Sequence, residues 1–527
     1  MFNRNVRSGK VADSRIAGKS IERRAFAGAV AGGANFFVTL LQSVILVPII
    51  LSAWTREQYG IWLSLSSLAV MLATLDLGHQ NYVGNQYNKI LHLVGDGIKP
   101  MLASGVKMAC LLGGIQLAIA LVLVATDFLP SIIGLHGQKE NLNLNLAFLL
   151  IIFTSVFIGS IGGIVTRVYI PYGKYAESQW LGVGQRLGQF GVTVLVVAAG
   201  GYLLSYSIGN FLFMMSYAAF GYIYLYRTFP HLYPWWSGGS WKIAFRNFTC
   251  SLVLTANAIV AQMANSGLTL LLASQFTVEM VPLFTTVRTV ANIFSQASMV
   301  LTNPLLPDLV RFHVNGEIGK LRHAFQACWF SGGAIINVGL VVAVPFIPKV
   351  YQIWTHGKLS FDVGLFALLA WSVALRSAYS PLASYITGLN HLRAQSIING
   401  VQSIVVIGAA FILSSRLGLS AFGVGIVLGE IIGACGYSWF AALELGGEKG
   451  RFVRTYVSQA LAPVAVVGAV FASTCVGSDR VVLLATGSGV IILGAFYLRM
   501  WFQLPNELKA RFLCLLPGPL RSRWTIL

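Results

Sequence analysis

The chain has 527 residues, of which 56% are hydrophobic and 10% charged, with a mean hydropathy of +0.73 and a formal net charge of +19. Soluble domains carry about 25% charged residues, so this composition excludes a soluble enzyme, a disordered scaffold and a secreted disulfide framework. It leaves an integral membrane protein.

Crossing about 30 Å of hydrocarbon takes about 20 mainly apolar residues. Fourteen such stretches follow one another: 26–52, 60–78, 101–126, 146–169, 182–205, 206–226, 249–273, 283–306, 325–348, 362–389, 395–414, 418–442, 458–476 and 481–502. The separation of the fifth from the sixth rests on Gly200, Gly201 and the Ser205-Tyr206-Ser207 stretch. An even number returns both termini to one side. With that side cytoplasmic, 27 of the 36 Lys and Arg lie inside, counting Lys107, Arg167 and Arg499 at the inner ends of their spans, six lie outside, and Arg186, Arg288 and Arg376 are counted apart as span residues. This is the positive-inside pattern. The basic excess is therefore a cytoplasmic collar that meets anionic membrane lipids, and no nucleic-acid partner is expected.

Residues 1–25 form a basic leader. Arg23-Arg24-Ala25-Phe26 imitates a twin-arginine export signal, but the apolar run that follows is too long and thirteen more spans come after it. Gly18-Lys19-Ser20 imitates the end of a phosphate-binding loop, yet the position five residues before Gly18 is Asp13, not glycine. No ATP site is visible. Cys110, Cys250, Cys328, Cys435, Cys475 and Cys514 are scattered through mostly apolar runs without metal-ligand spacing, and read as small core hydrophobes.

Pro230, Pro234, Gly238 and Gly239, interleaved with Tyr233, Trp235, Trp236 and Trp241, break the helical pattern over 227–248. This interfacial linker separates a six-helix bundle at 26–226 from a second at 249–442. An additional helix pair occupies 443–502, and a cytoplasmic tail follows at 503–527. Six, six and two suggest an internal duplication. Tyr169-Ile170, Ser178 and Gly182-Val183 echo Tyr385-Ile386, Ser396 and Gly400-Val401 at equivalent places in the two halves. Six spans restore direction, so the repeat is parallel, about the membrane normal.

Outer loops are short, and no paired carboxylates, Ser/His/Asp set or metal-spaced histidines occur. An extracellular polysaccharide polymerase or ligase would need a larger outer loop for its catalytic site. The expectation is a protein that is not an enzyme and needs no cofactor or metal.

Ionisable residues inside a membrane cost about 2.5–3.5 kcal/mol at mid-span and face a bundle interior or an aqueous cavity. Arg376 and Glu430 lie deep in spans ten and twelve at similar depth. They either pair or face a shared cavity separately. As a site they would be an anion-binding arginine and a gating or coupling carboxylate. Gly425, Gly429 and Gly433 repeat every fourth residue around Glu430 as a close-packing stripe. In span eight, Thr285, Thr289, Asn292 and Gln296 make one polar stripe with Arg288 beside it. Asn35 and Gln42, seven residues apart in span one, share a face, and span seven offers Asn257, Gln262, Asn265 and Ser266. Asp76, at the inner end of span two where the helix dipole disfavours an anion, calls for a cationic partner or a gate contact. Arg186, near the inner end of span five, is placed to snorkel to the interface. Together these residues describe a polar, net cationic cavity suited to a large, sugar-rich anion.

The stretch Tyr59-Gly60-Ile61-Trp62-Leu63 through Leu75-Asp76-Leu77-Gly78, and Arg288 followed by Asn303-Pro304-Leu305-Leu306-Pro307, carry a resemblance. The chain resembles the Wzx-type O-antigen and exopolysaccharide flippases. These form the polysaccharide-transporter branch of the multidrug/oligosaccharidyl-lipid/polysaccharide (MOP) exporter superfamily. The resemblance implies an all-α membrane fold of two six-helix bundles arranged as a V, plus a C-terminal helix pair. It implies alternating access that moves a polyprenyl-diphosphate-linked oligosaccharide across the bacterial inner membrane, with a polysaccharide polymerase and chain-length machinery as partners. Arg288 would match the family's cationic cavity residue. Spans one and two here lack the basic residues found in some related lipid-diphosphate flippases. The competing readings are a multidrug exporter of the same superfamily and a membrane polymerase or ligase.

Overall fold

Apolar stretches too long for a soluble core become helices that bond every backbone group internally, as a membrane demands. A computed structural model describes residues 14–93, 98–135, 142–302, 306–476, 478–506 and 509. Its long helices are numbered here α1 (Ser14–Ala53), α2 (Arg56–Leu93), α3 (Ile98–Ala125), α4 (Leu142–Tyr169), α5 (Tyr175–Ala198), α6 (Leu203–Thr228) and α7 (Trp241–Gln275). They continue with α8 (Met280–Thr302), α9 (Ile318–Ala343), α10 (Val363–Gly388), α11 (Leu392–Leu417), α12 (Ser420–Leu445), α13 (Gly447–Val476) and α14 (Asp479–Gln503). No strand occurs among the described residues. Among the described residues, thirteen helices are long and apolar enough to cross a membrane. The one long helix outside that set is α8, which carries the polar stripe of Arg288. The fold is all-α, and the protein is a multi-pass membrane protein. Residues 1–13 of the leader, Asn303, Pro304 and Leu305 of the span-eight motif, and 510–527 of the tail lie outside the described residues.

Two expected boundaries shift. The turn between α5 and α6 is at Ala199–Tyr202, not at 205–206. Gly200 takes φ +71°, a left-handed conformation open to glycine, and ends α5. Ser207 instead bonds the Leu203 carbonyl within α6, so the serines read as a turn are helical. Likewise α2 runs to Leu93, well beyond the expected end at 78. Asp76 is therefore an interior residue of a long helix, and the helix dipole has no bearing on it.

The chain divides into two units. One comprises Met1–Ile49, Leu72–Asp127 and Lys139–Thr255; the other comprises Ile50–Met71, Phe128–Gln138 and Ala256–Leu527. In the first, Val83, Tyr87, Leu102, Val106, Ile164, Val168, Tyr169, Leu225 and Phe229 make the core. The linker is fastened to α3. Lys99 donates to the Tyr233 carbonyl at 3.0 Å, Lys107 donates to the Gly239 carbonyl at 2.6 Å, and the Ser240 N–H donates to Ser104 Oγ at 2.9 Å. Trp235 stacks on Tyr222 of α6 with ring centroids 5.4 Å apart.

In the second unit, Phe325, Trp329, Tyr379, Tyr385, Tyr437 and Tyr456 build an aromatic core with Leu309, Leu321 and Leu382. Trp329 donates to the Ala378 carbonyl at 2.7 Å and stacks on Tyr456, joining α9 to α10 and α13. Asn337 of α9 donates to the Tyr497 hydroxyl of α14 at 2.8 Å. The helix pair α13–α14 is thus attached through polar bonds inside an apolar interface. Tyr169 and Tyr385, the tyrosines of the faint sequence repeat, are both buried near the ends of α4 and α10.

Among the described residues, three helices contain a wide π turn: Ser155–Ile161 in α4, Met263–Gly267 in α7 and Ala334–Val338 in α9. Such turns loosen the backbone bonding pattern locally and often mark functional positions.

Candidate functional site

In the second unit, the C-terminal part of α7 together with α8, α10 and α12 lines an open cavity of about 220 Å³. Arg288, Asn292, Gln296, Arg376 and Glu430 all line it, together with Asn265, Ser295 and Ser372. The structure therefore brings five of the eight expected site residues to one place.

Local sequence fixes each side chain. Asp362 caps α10, its carboxylate accepting the Leu365 N–H at 2.9 Å, which sets the register that carries Arg376 to the cavity. The glycine stripe sets Glu430. A Cβ on Gly425 would lie 2.6 Å from the Val406 carbonyl oxygen, and one on Gly429 would lie 2.3 Å from Val406 Cγ2. A side chain at either position would push α12 off α11. A Cβ on Gly433 would meet the Tyr379 hydroxyl at 2.7 Å, so this glycine makes room for the tyrosine.

Glu430 has three good donors. Arg376 donates from Nη2 at 2.7 Å and from Nε at 3.1 Å to Oε1, and Tyr379 donates to Oε2 at 2.6 Å. The pair and the shared cavity, alternatives on sequence grounds, are both present. Tyr379 stacks flat on Tyr437, whose hydroxyl donates to Asn399 of α11 at 2.8 Å. Tyr379 lies one helical turn beyond Arg376, and that spacing is the signal by which sequence could have found it.

Arg288 is held differently. Its Nη2 donates to Asn265 Oδ1 at 2.7 Å, and Nη1 reaches the Asn265 carbonyl at 3.5 Å. Asn265 sits in the π turn of α7, which presents both oxygens toward one guanidinium. Arg288 also lies over the Phe284 ring at 5.9 Å, and it is close enough to Arg376 and Glu430 to feel both charges. With Glu430 neutralising Arg376, Arg288 gives the cavity its net positive charge. Thr285 and Thr289 bond carbonyls of their own helix, so Asn292 and Gln296 are the stripe residues that line the cavity.

The other three expected site residues, Asn35, Gln42 and Asp76, do not line this cavity. Asn35 donates to Gln179 at 2.9 Å and accepts from Arg186 Nε at 3.1 Å, while Gln42 donates to the Arg186 carbonyl at 2.6 Å. Their shared face is turned to α5, where polar groups find partners away from lipid. Arg186 accordingly bonds α1. Asp76 is fully buried in the first unit. Its direct partner is the Gln80 amide at 2.8 Å, not a cation, with Ser160 and Arg167 beside it. The same amide nitrogen donates to the Gly159 carbonyl, at 3.0 Å, in the π turn of α4. His79, also fully buried, lies one turn along α2 from Asp76, with its ring 6.3 Å from that of Phe248.

No protein-family model matches the chain, and no curated relative matches it by sequence. Solved structures do match. A multidrug resistance MATE family transporter of the MOP superfamily, inward-facing, superposes with a TM-score of 0.59 at 14% identity, over 82% of this chain and 98% of its own. An outward-facing MATE family transporter gives 0.53 at 11% identity, over 83% of this chain and 96% of its own. The lipid II flippase MurJ, inward closed, gives 0.59 at 12% identity, over 90% of this chain and 99% of its own. At these identities the likeness concerns the fold. The chain has the all-α fold seen in these MATE transporters and in MurJ.

Proposed function

We propose that the protein is a flippase for polyprenyl-diphosphate-linked oligosaccharide repeat units. It would move them across the bacterial inner membrane by alternating access, with both termini cytoplasmic. The observation that carries this reading is Arg288, a guanidinium held by neutral oxygens of Asn265 on the wall of a polar cavity. A diphosphate and its sugars cannot cross about 30 Å of hydrocarbon unaided. A cavity with spare positive charge and amide groups meets both parts of such a solute. Arg288 and Arg376 would hold the diphosphate, Asn292 and Gln296 the sugars, and the lipid tail would stay in hydrocarbon. Glu430 and Asp76 are the coupling carboxylates in this scheme, and a polymerase with chain-length machinery would take the product. The reach of the MurJ likeness over 90% of the chain supports a lipid-linked substrate.

Export of small molecules, as in the MATE transporters, is the second reading. The equal TM-score of an inward-facing MATE transporter favours it. Against a cationic drug stands the ion pair: Arg376 already neutralises Glu430, the only carboxylate on the cavity wall among the described residues.

Deleting the gene in its source organism separates the two. Complete lipid-linked repeat units accumulating in the inner leaflet support flipping. Unchanged surface glycan with heightened drug sensitivity supports export, and single repeat units still reaching the surface point to a polymerase. Restoring the gene with Arg288→Ala or Arg376→Ala should not restore surface glycan at normal expression. Full activity in both variants would sink the diphosphate assignment.

A further inference from the structure

Charge balance in the cavity constrains how it binds an anion. Its wall carries two guanidiniums, Arg288 and Arg376, and one carboxylate, Glu430. These side chains together carry a single net positive charge. A diphosphate diester brings one negative charge on each phosphate, so its arrival leaves an uncompensated negative charge in a site walled by four helices. An unpaired negative charge held against the buried Glu430 carboxylate is unfavourable, and the remedy nearest to hand is a proton.

The geometry says where that proton goes. Glu430 is 3% exposed and depends on Arg376 for two of its three donors. Arg376 keeps 53% of its side-chain surface open. A phosphate approaching Arg376 must either take the guanidinium from Glu430 or share it with a carboxylate one guanidinium width away. Both arrangements put like charges together. A protonated Glu430 removes the conflict. It still accepts from Tyr379 and gains a hydroxyl with which to donate. The other groups facing Glu430 cannot supply the balance: Tyr379 and Tyr437 are neutral hydroxyls, Asn399 and Gln402 of α11 and Asn265 of α7 are amides, and Arg288 is already cationic.

We propose that an anion on Arg376 and a proton on Glu430 are bound together, so that the site takes up one proton from solution with each diphosphate diester. Glu430 exchanges a carboxylate for a carboxylic acid, no covalent bond to the ligand forms, and the proton leaves when the anion does. This rests on the anion-binding reading above, and it makes binding of the lipid-linked substrate proton-linked.

Isothermal titration of the full-length protein in lipid nanodiscs tests it. The probe is geranyl-diphosphate-linked N-acetylglucosamine, a diester whose phosphates do not titrate near neutral pH. Measured in two buffers of different ionisation enthalpy, wild type should take up about one proton per probe, and Kd should weaken by up to roughly tenfold per pH unit as pH rises. In Glu430→Gln the proton count should fall to zero and the pH dependence should flatten. Wild-type binding without proton uptake overturns the inference while leaving the anion site intact, as does binding that follows sodium instead of pH. Uptake unchanged in Glu430→Gln overturns it as well. No binding of the probe overturns the anion site itself. Should the variant fail to fold, the wild-type proton count alone decides.

Discussion

Arg376 and Glu430 are bonded to each other from unequal surroundings: the glutamate side chain is 4% exposed, whereas the arginine side chain retains 53% of its surface. The arginine is a bridge between a buried acid and an open cavity, and losing it has different consequences from losing the acid. Arg376→Ala strands an uncompensated buried carboxylate, a change that typically costs about 3–5 kcal/mol. Glu430→Gln leaves a cation that the cavity can hydrate. Thermal unfolding in detergent should therefore rank Arg376→Ala well below Glu430→Gln. The double variant Arg376→Ala/Glu430→Gln should recover part of the loss, with a coupling of about 0.5–3 kcal/mol. Strict additivity would mean that the pair contributes nothing.

The glycine stripe makes a prediction with a built-in control. Gly425→Ala and Gly429→Ala drive a methyl into Val406 of α11, the first against its backbone oxygen, and overpacking of this kind costs about 1–3 kcal/mol. Gly400→Ala and Gly408→Ala, on α11 itself, meet nothing within 4 Å. The first two should lower the melting temperature and the yield of folded protein, while the second two leave both unchanged. A melting temperature for Gly425→Ala equal to wild type would dissolve the close approach of α11 and α12.

The sequence is most informative where the physics is one-dimensional. Long apolar runs and the Lys/Arg asymmetry announce the helices because hydrocarbon tolerates little else, and Arg288, Arg376 and Glu430 stand out because charge in a span is expensive. Pairing is less legible. Asn35 and Gln42 share a face at heptad spacing, as cavity residues would, yet spacing does not say whether that face meets water or a neighbouring helix. Asp76 is misplaced by hydropathy because Gly78 ends the most apolar part of α2, although the helix itself continues to Leu93. Asn265 gains its role from a π turn, which no residue pattern in 263–267 announces.

Asn35 and Asn292 accordingly separate packing from binding. Asn35→Leu removes two bonds between α1 and α5, and bonds between membrane helices average about 0.6 kcal/mol each. It should lower the melting temperature slightly and leave affinity for the diphosphate probe unchanged. Asn292→Leu should do the reverse, weakening affinity severalfold without moving the melting temperature. Weakened probe binding in Asn35→Leu at unchanged stability would return span one to the ligand site.

Asn265→Asp tests whether the spare charge of Arg288 matters. The substitution preserves shape and hydrogen-bond distance, so the new carboxylate would still accept from the guanidinium, but the neutral partner becomes an anion. Arg288 then resembles Arg376, a cation already matched, and the cavity falls from one net positive charge to none. Probe affinity should drop by roughly tenfold or more, the scale of one lost charge-assisted contact, with the melting temperature maintained or raised by the new ion pair. Asn265→Ala removes the tether but keeps the charge, so its affinity should fall less. If the aspartate variant binds as well as wild type, net charge does not govern this cavity, and the preference for an anionic solute loses its physical basis.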